Sequence, residues 1–128
     1  MPESAFGNWL KGLREERDLS LRDVAQRAEV DHAYVYRLET GAKESPSGEV
    51  VEKLVAGLTP SQRDVDILRF LAVQTNVDPE LANFARKDGT VSFDEFRMLT
   101  TAVNRGARVD YSVSLARIRR FMREEEGG

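Results

Sequence analysis

The sequence predicts an all-helical protein, and three observations lead there. Apolar residues recur at spacings of three and four along nearly the whole chain. Ser, Thr or Asp stands ahead of most of these stretches, several times with an acidic or amide residue three places on. No stretch reads convincingly as a half-buried strand with a period of two. At 128 residues the chain suffices for one ordinary domain, or for a module of about 60 residues with a helical extension.

Phe6, Trp9, Leu10 and Leu13 place a first helix over residues 6–17. Ser20 caps a second, short helix carrying Leu21, Val24, Ala25 and Ala28, with Asp23 at N3 completing a capping box. Asp31 caps a third over residues 32–39, which turns Val35 and Leu38 inward and stops at Gly41. Ser47 caps a fourth, with Val50, Val51, Leu54, Val55 and Leu58 inward. The run Thr59, Pro60, Ser61, Gln62 reads as N-cap, N1 proline and N3 amide of a fifth helix reaching residue 74. That helix is apolar on most sides, which places it between the two halves of the chain or in a dimer interface. Asp78 and Pro79 start a sixth helix with Leu81, Phe84 and Ala85. Ser92 and Glu95 box a seventh, with Phe96, Leu99 and Val103 on one face and Gly106 as its stop. The last helix carries Tyr111, Leu115, Ile118 and Met122, and residues 124–128 are expected to fray.

Composition narrows the function. With no cysteine, disulfides, thiolate zinc sites and cysteine nucleophiles are excluded; a single histidine, His32, excludes multi-histidine metal sites. No nucleophile–base pair, paired-carboxylate site or glycine-rich phosphate cradle has the required spacing, so no enzyme activity, catalytic residue or cofactor is expected. Residues 88–95 match the second half of a calcium-binding loop, but its first and third ligand positions fall on Phe84 and Arg86, so no metal is expected either. No run of 18 apolar residues and no secretory signal occurs, which points to a cytoplasmic protein without a membrane partner. Formal net charge is -3, and residues 1–58 hold eight Lys or Arg against eleven Asp or Glu. Affinity for a polyanion would therefore rest on a few well-placed cations.

Residues 13–46 read LREERDLSLRDVAQRAEVDHAYVYRLETGAKESP. Two short helices joined by a tight turn at residues 28–31 must cross steeply, with small Ala25 permitting close approach, and the crossing projects the third helix outward. A helix so presented fits the major groove of B-DNA. The segment resembles the Xre family of phage-repressor-like helix-turn-helix regulators over residues 6–58. The likeness lies in the apolar framework, Ala25, the Val30–Asp31 pair leading into the third helix, and the Leu38, Glu39, Gly41 exit. It implies a lambda-repressor-like five-helix DNA-binding domain, here residues 1–75, and sequence-specific binding to double-stranded DNA, as a repressor on a palindromic operator. Carried over position by position, His32, Ala33 and Arg37 fall where the family reads bases, and Tyr36 lies beside them, against a base or a phosphate. An arginine there can donate two hydrogen bonds to one guanine, worth about 1–3 kcal/mol of discrimination. Ser20, Arg22 and Lys43 fall at phosphate contacts, and Arg14 with Glu39 at a structural ion pair. The chain departs from the family at Leu21, commonly glutamine, and at Glu29, commonly glycine; the latter must adopt a left-handed backbone at a cost of about 1 kcal/mol.

Residues 76–128 are read as a helical dimerisation or partner-binding region. Its apolar surface, together with the fifth helix, exceeds what a lone DNA-binding module needs, and Leu68, Leu71, Phe96, Leu115 and Ile118 are assigned to a homodimer interface. The competing reading is a protein-binding module, antitoxin-like or directed at a sigma factor or another regulator. A third is contact with DNA through Arg117, Arg119, Arg120 and Arg123 on the last helix.

Overall fold

The computed structural model describes residues 3–42, 46–101 and 109–127, and these contain eight α-helices and no strand. They are α1 (Ala5–Glu16), α2 (Leu21–Ala28), α3 (His32–Thr40), α4 (Gly48–Leu58), α5 (Gln62–Val73), α6 (Pro79–Lys87), α7 (Phe93–Leu99) and α8 (Tyr111–Gly127). Among the described residues no helix is long and apolar enough to cross a membrane.

Capping chemistry sets most of the starts. Ser4, Ser20, Asp31, Ser47, Ser61, Asp78 and Ser92 each accept a backbone N–H of the first turn of α1 to α7. Ser20 with Asp23, and Ser92 with Glu95, form reciprocal capping boxes. The start of α5 corrects the sequence expectation. Thr59 is the left-handed C-cap of α4 at φ 45°, closing that helix through its N–H on Val55 carbonyl, and the N-cap is Ser61, extended in backbone, whose hydroxyl accepts Asp64 N–H. In α4 only Val51, Leu54 and Leu58 are fully buried; Val50 and Val55 flank them half-covered. Helix α7 ends at Leu99, so Val103 and Gly106 lie outside the described residues. Helix α8 continues to Gly127, where fraying was expected from residue 124.

One contiguous core runs from Ala5 to Leu115. Helix α1 is its axle, packed against α3, α5 and α6; α2 lies against α3 and α4, and α7 joins α5 to α8. Trp9, Leu10 and Leu13 of α1 are fully buried, as are Ile67 and Leu68 of α5 and Phe96 of α7. Phe70 stacks edge-on against both Phe93 and Phe96. The crowded α5 thus lies between the halves of the chain, one of the two placements read from its sequence. Leu68, Leu71, Phe96 and Leu115 are at most 4% exposed within one chain, and Ile118 packs half-buried on the same core. The first four are covered within their own chain, and Ile118 keeps part of its surface in solvent.

Candidate nucleic-acid interface

Helix α3 is presented by its two ends and its back. At its start, Asp31 accepts Ala33 N–H, and its Oδ1 lies 3.6 Å from His32 Nδ1. Ahead of it the chain reverses at Glu29, whose backbone is left-handed at φ 58° and ψ 45°, and Val30 N–H closes the turn on Ala25 carbonyl. A glutamate therefore adopts the conformation that glycine adopts without strain. At the end of α3, Gly41 takes φ 81°, which releases the chain from the helix.

The back of α3 is fixed by packing and charge together. Val35 and Leu38 are fully buried. Arg14 of α1 donates from Nε and Nη2 to the two Glu39 carboxylate oxygens at 2.7 and 3.0 Å, and from Nη1 to Leu19 carbonyl at 2.9 Å. The fork thereby ties α1, the α1–α2 turn and α3 into one piece. The Glu39 hydrogen bond raises the Arg14 guanidinium above its ordinary range, although burial opposes it. Gly7 completes the clamp, because a Cβ there would stand 2.5 Å from Leu38 carbonyl oxygen and 2.6 Å from Glu39 carbonyl oxygen. The first turn of α1 rests directly on the last turn of α3.

What remains is an outward arc. At 100° per residue, His32, Tyr36, Ala33 and Arg37 span about 140° of α3 opposite the buried stripe. His32, Tyr36 and Arg37 are exposed and Ala33 is half-covered. Arg37 has no ion pair among the described residues, which leaves its guanidinium fork available. Beside this arc stands the start of α2. Ser20 Oγ is occupied by Asp23 N–H at 3.0 Å, and Asp23 in turn accepts Ser20 N–H at 2.8 Å. These bonds, with the Ser20 backbone first, hold the Asp23 carboxyl below its usual range, so the helix start carries a fixed negative charge next to exposed Arg22. Lys43 lies outside the described residues.

One cluster was not legible in the sequence. The Arg86 guanidinium of α6 lies 3.8 Å above the Trp9 ring and that of Arg63 5.3 Å from it, while Trp9 Nε1 donates to Asp64 carbonyl at 3.1 Å. Arg86 also pairs with Glu16 at 2.6 Å and Asp64 at 3.5 Å. Arg63 donates to the carbonyls of Val91, Ala85 and Asp88. Burial pushes the Arg86 guanidinium down from its ordinary range despite these carboxylates. Gly12 makes the stack possible, since a Cβ there would come within 2.8 Å of Arg86 Nε. The cluster clamps α6 to α1 and α5, and it lies apart from the outward arc of α3. Among the described residues no three His, Asp or Glu side chains gather as a metal site, and Asp88 is occupied by Thr90.

A family model described as a helix-turn-helix domain matches residues 5–68, half of the chain, from the first residue of α1 into α5. No curated protein matches the chain.

Proposed function

The chain belongs to the helix-turn-helix domain family, and on that premise we propose that it is an Xre-type regulator that binds a palindromic operator as a homodimer and represses by occupying it. In this reading α3 enters the major groove. Arg37 donates to guanine, His32 and Ala33 meet base edges, and Tyr36 contacts a base or an adjacent phosphate. Arg22, Lys43 and the amide groups at the start of α2 contact phosphate. The Ser20 hydroxyl serves that contact through the cap it forms, since its oxygen already accepts Asp23 N–H. Residues 1–75 supply the reading head and residues 76–128 the pairing between copies.

The observation that carries the reading is the division of α3 into two faces. One is locked by Val35, Leu38 and the Arg14–Glu39 fork, and the other offers a side chain rich in donors, Arg37, with no partner of its own among the described residues. A helix held this rigidly and left bare on one side suits an external ligand with fixed hydrogen-bond geometry, which base edges are.

The test is selection of bound fragments from randomised duplex DNA at about 150 mM salt, in parallel with Arg37→Ala. The expected result is an enriched inverted repeat whose guanine preference at one position per half-site is lost in the variant. No enrichment by the folded protein would overturn DNA reading and favour the protein-binding module, a reading that draws its support from exposed Asp23, Glu29 and Asp31 around the same face.

A further inference from the structure

Helix α8 turns one face inward, where Tyr111 and Leu115 are buried and Ile118 half-buried, and Arg119 pairs with Glu95 at 2.9 Å. Its opposite face carries Val113, Arg117, Arg120, Phe121 and Glu124, all exposed, with Val113 44% and Phe121 56% exposed. At 100° per residue these five fall within an arc of about 100°. Phe121 stands at the centre of this strip with Arg117, Arg120 and Glu124 around it, and Val113 lies at its N-terminal end. The charge along the helix is also ordered: Arg117, Arg120 and Arg123 precede an acidic run at residues 124–126.

That order selects the occupant. A parallel copy of α8 would set Arg117 against Arg117 and Glu124 against Glu124. An antiparallel copy sets basic against acidic at both ends, and a two-fold axis between positions 120 and 121 brings Arg117 opposite Glu124 of the second copy, twice over. The same register lays Arg120 across Phe121 of the second copy, a cation–π contact also made twice. We infer that α8 pairs antiparallel with α8 of a second copy in this register, and that this strip is the dimer contact. The inference rests on the homodimer reading above and supplies the surface that Leu68, Leu71, Phe96 and Leu115, being buried, cannot. In this register residues 114–127 of the two helices overlap, a strip about 21 Å long with Val113 at its edge. One helix pair buries less than the roughly 1,200 Å² of a standard stable interface, so the dimer is weak in free solution and sensitive to salt.

Sedimentation equilibrium of the full chain without DNA, at about 50 mM and 500 mM salt, tests this. The expected result is a reversible dimer that weakens at high salt. Arg117→Glu should raise its dissociation constant about tenfold or more, and the exchange Arg117→Glu with Glu124→Arg should restore it. Phe121→Ser should weaken the dimer at both salt concentrations. Both charged positions are exposed on a helix, so an unchanged far-ultraviolet spectrum will show that each variant is folded. A dimer indifferent to Arg117→Glu, or an exchange that fails to restore it, overturns the α8 pairing and leaves the homodimer reading standing. A monomer at every concentration likewise overturns the α8 pairing, and the homodimer reading then rests on the selected DNA showing an inverted repeat.

Discussion

Replacing Gly7 by alanine adds one methyl group at the point where α1 supports the reading helix. The new Cβ would lie 2.5 Å from Leu38 carbonyl oxygen, 2.6 Å from that of Glu39 and 2.8 Å from Ser4 Oγ, whereas ordinary contact begins near 3.4 Å. The two carbonyls are backbone and cannot swing aside, so the last turn of α3 must retreat by roughly 0.9 Å, stretching the Arg14–Glu39 fork as it goes. Overpacking of this kind costs about 1–3 kcal/mol, and crowding the Ser4 cap adds to it. The better helix propensity of alanine returns up to about 1 kcal/mol. The expected net loss is about 2 kcal/mol. Gly48→Ala is the matched control, because nothing lies within 4 Å of a Cβ at that helix start. Urea unfolding followed through Trp9, the sole tryptophan and fully buried, measures both. Operator affinity of Gly7→Ala, read where it is still folded, should fall as α3 is displaced. Equal stability of the two alanine variants would refute the argument that α1 seats α3 backbone to backbone.

Glu29→Gly should stabilise the chain by about 0.5–1 kcal/mol in thermal unfolding, since it relieves a left-handed glutamate and alters no buried contact. The hydrogen bond from Arg119, ahead of those from Ser92, holds the Glu95 carboxyl below its ordinary range. Its folded-state pKa is therefore depressed, and the stability it contributes is present above the ordinary carboxylate pKa and is lost as pH falls through and below it. Glu95→Gln should accordingly be less stable at pH 7, with the gap closing below about pH 4 in parallel unfolding curves. Truncation to residues 1–75 removes Leu81, Ala82, Ala85 and Arg86 from around the central helix and Trp9, so Trp9 emission should shift to that of a solvated indole. A fragment that keeps buried Trp9 emission would contradict a single shared core.

The helical class and five of the eight helix starts were legible because their caps are local chemistry. Ser20 with Asp23, Asp31, Ser47, Asp78 and Ser92 with Glu95 are named by residue type and spacing alone. The α5 start was misplaced by two residues because both Thr59 and Ser61 are good caps, and only the C-terminal turn of α4 decides between them. The outward arc of α3 follows from where Val35 and Leu38 must go. The dimer residues did not follow, since an apolar count cannot distinguish a face buried by its own chain from one buried by another. Leu68 and Phe96 are covered by partners distant in sequence. The Trp9–Arg86 stack was invisible for the same reason: Gly12 and Arg86 are unremarkable until α6 lies beside α1.

The acidic balance of the head looks adverse to DNA, and the fold offsets only part of it. Glu39 with Arg14 and Asp64 with Arg63 pair within the head and leave its net charge unchanged, whereas Arg86 of α6 brings one cation from outside it to Glu16 and Asp64. Along α2, its turn and α3, exposed Asp23, Glu29 and Asp31 stand against exposed Arg22, Arg27 and Arg37, an even count. Two of those acids sit in the first turn or at the cap of a helix, where the positive end of the helix dipole offsets part of their charge. A face of this kind does not draw DNA from a distance. Binding must come from short-range hydrogen bonds made after encounter, with few counterions released and a shallow dependence of affinity on salt. On the proposed homodimer reading each half-site is then weak by itself, and useful occupancy requires two heads delivered together. A marginal, charge-ordered contact such as that along α8 is sufficient for this, because DNA bearing two half-sites brings the second copy within reach of the first and turns a weak association into an intramolecular one.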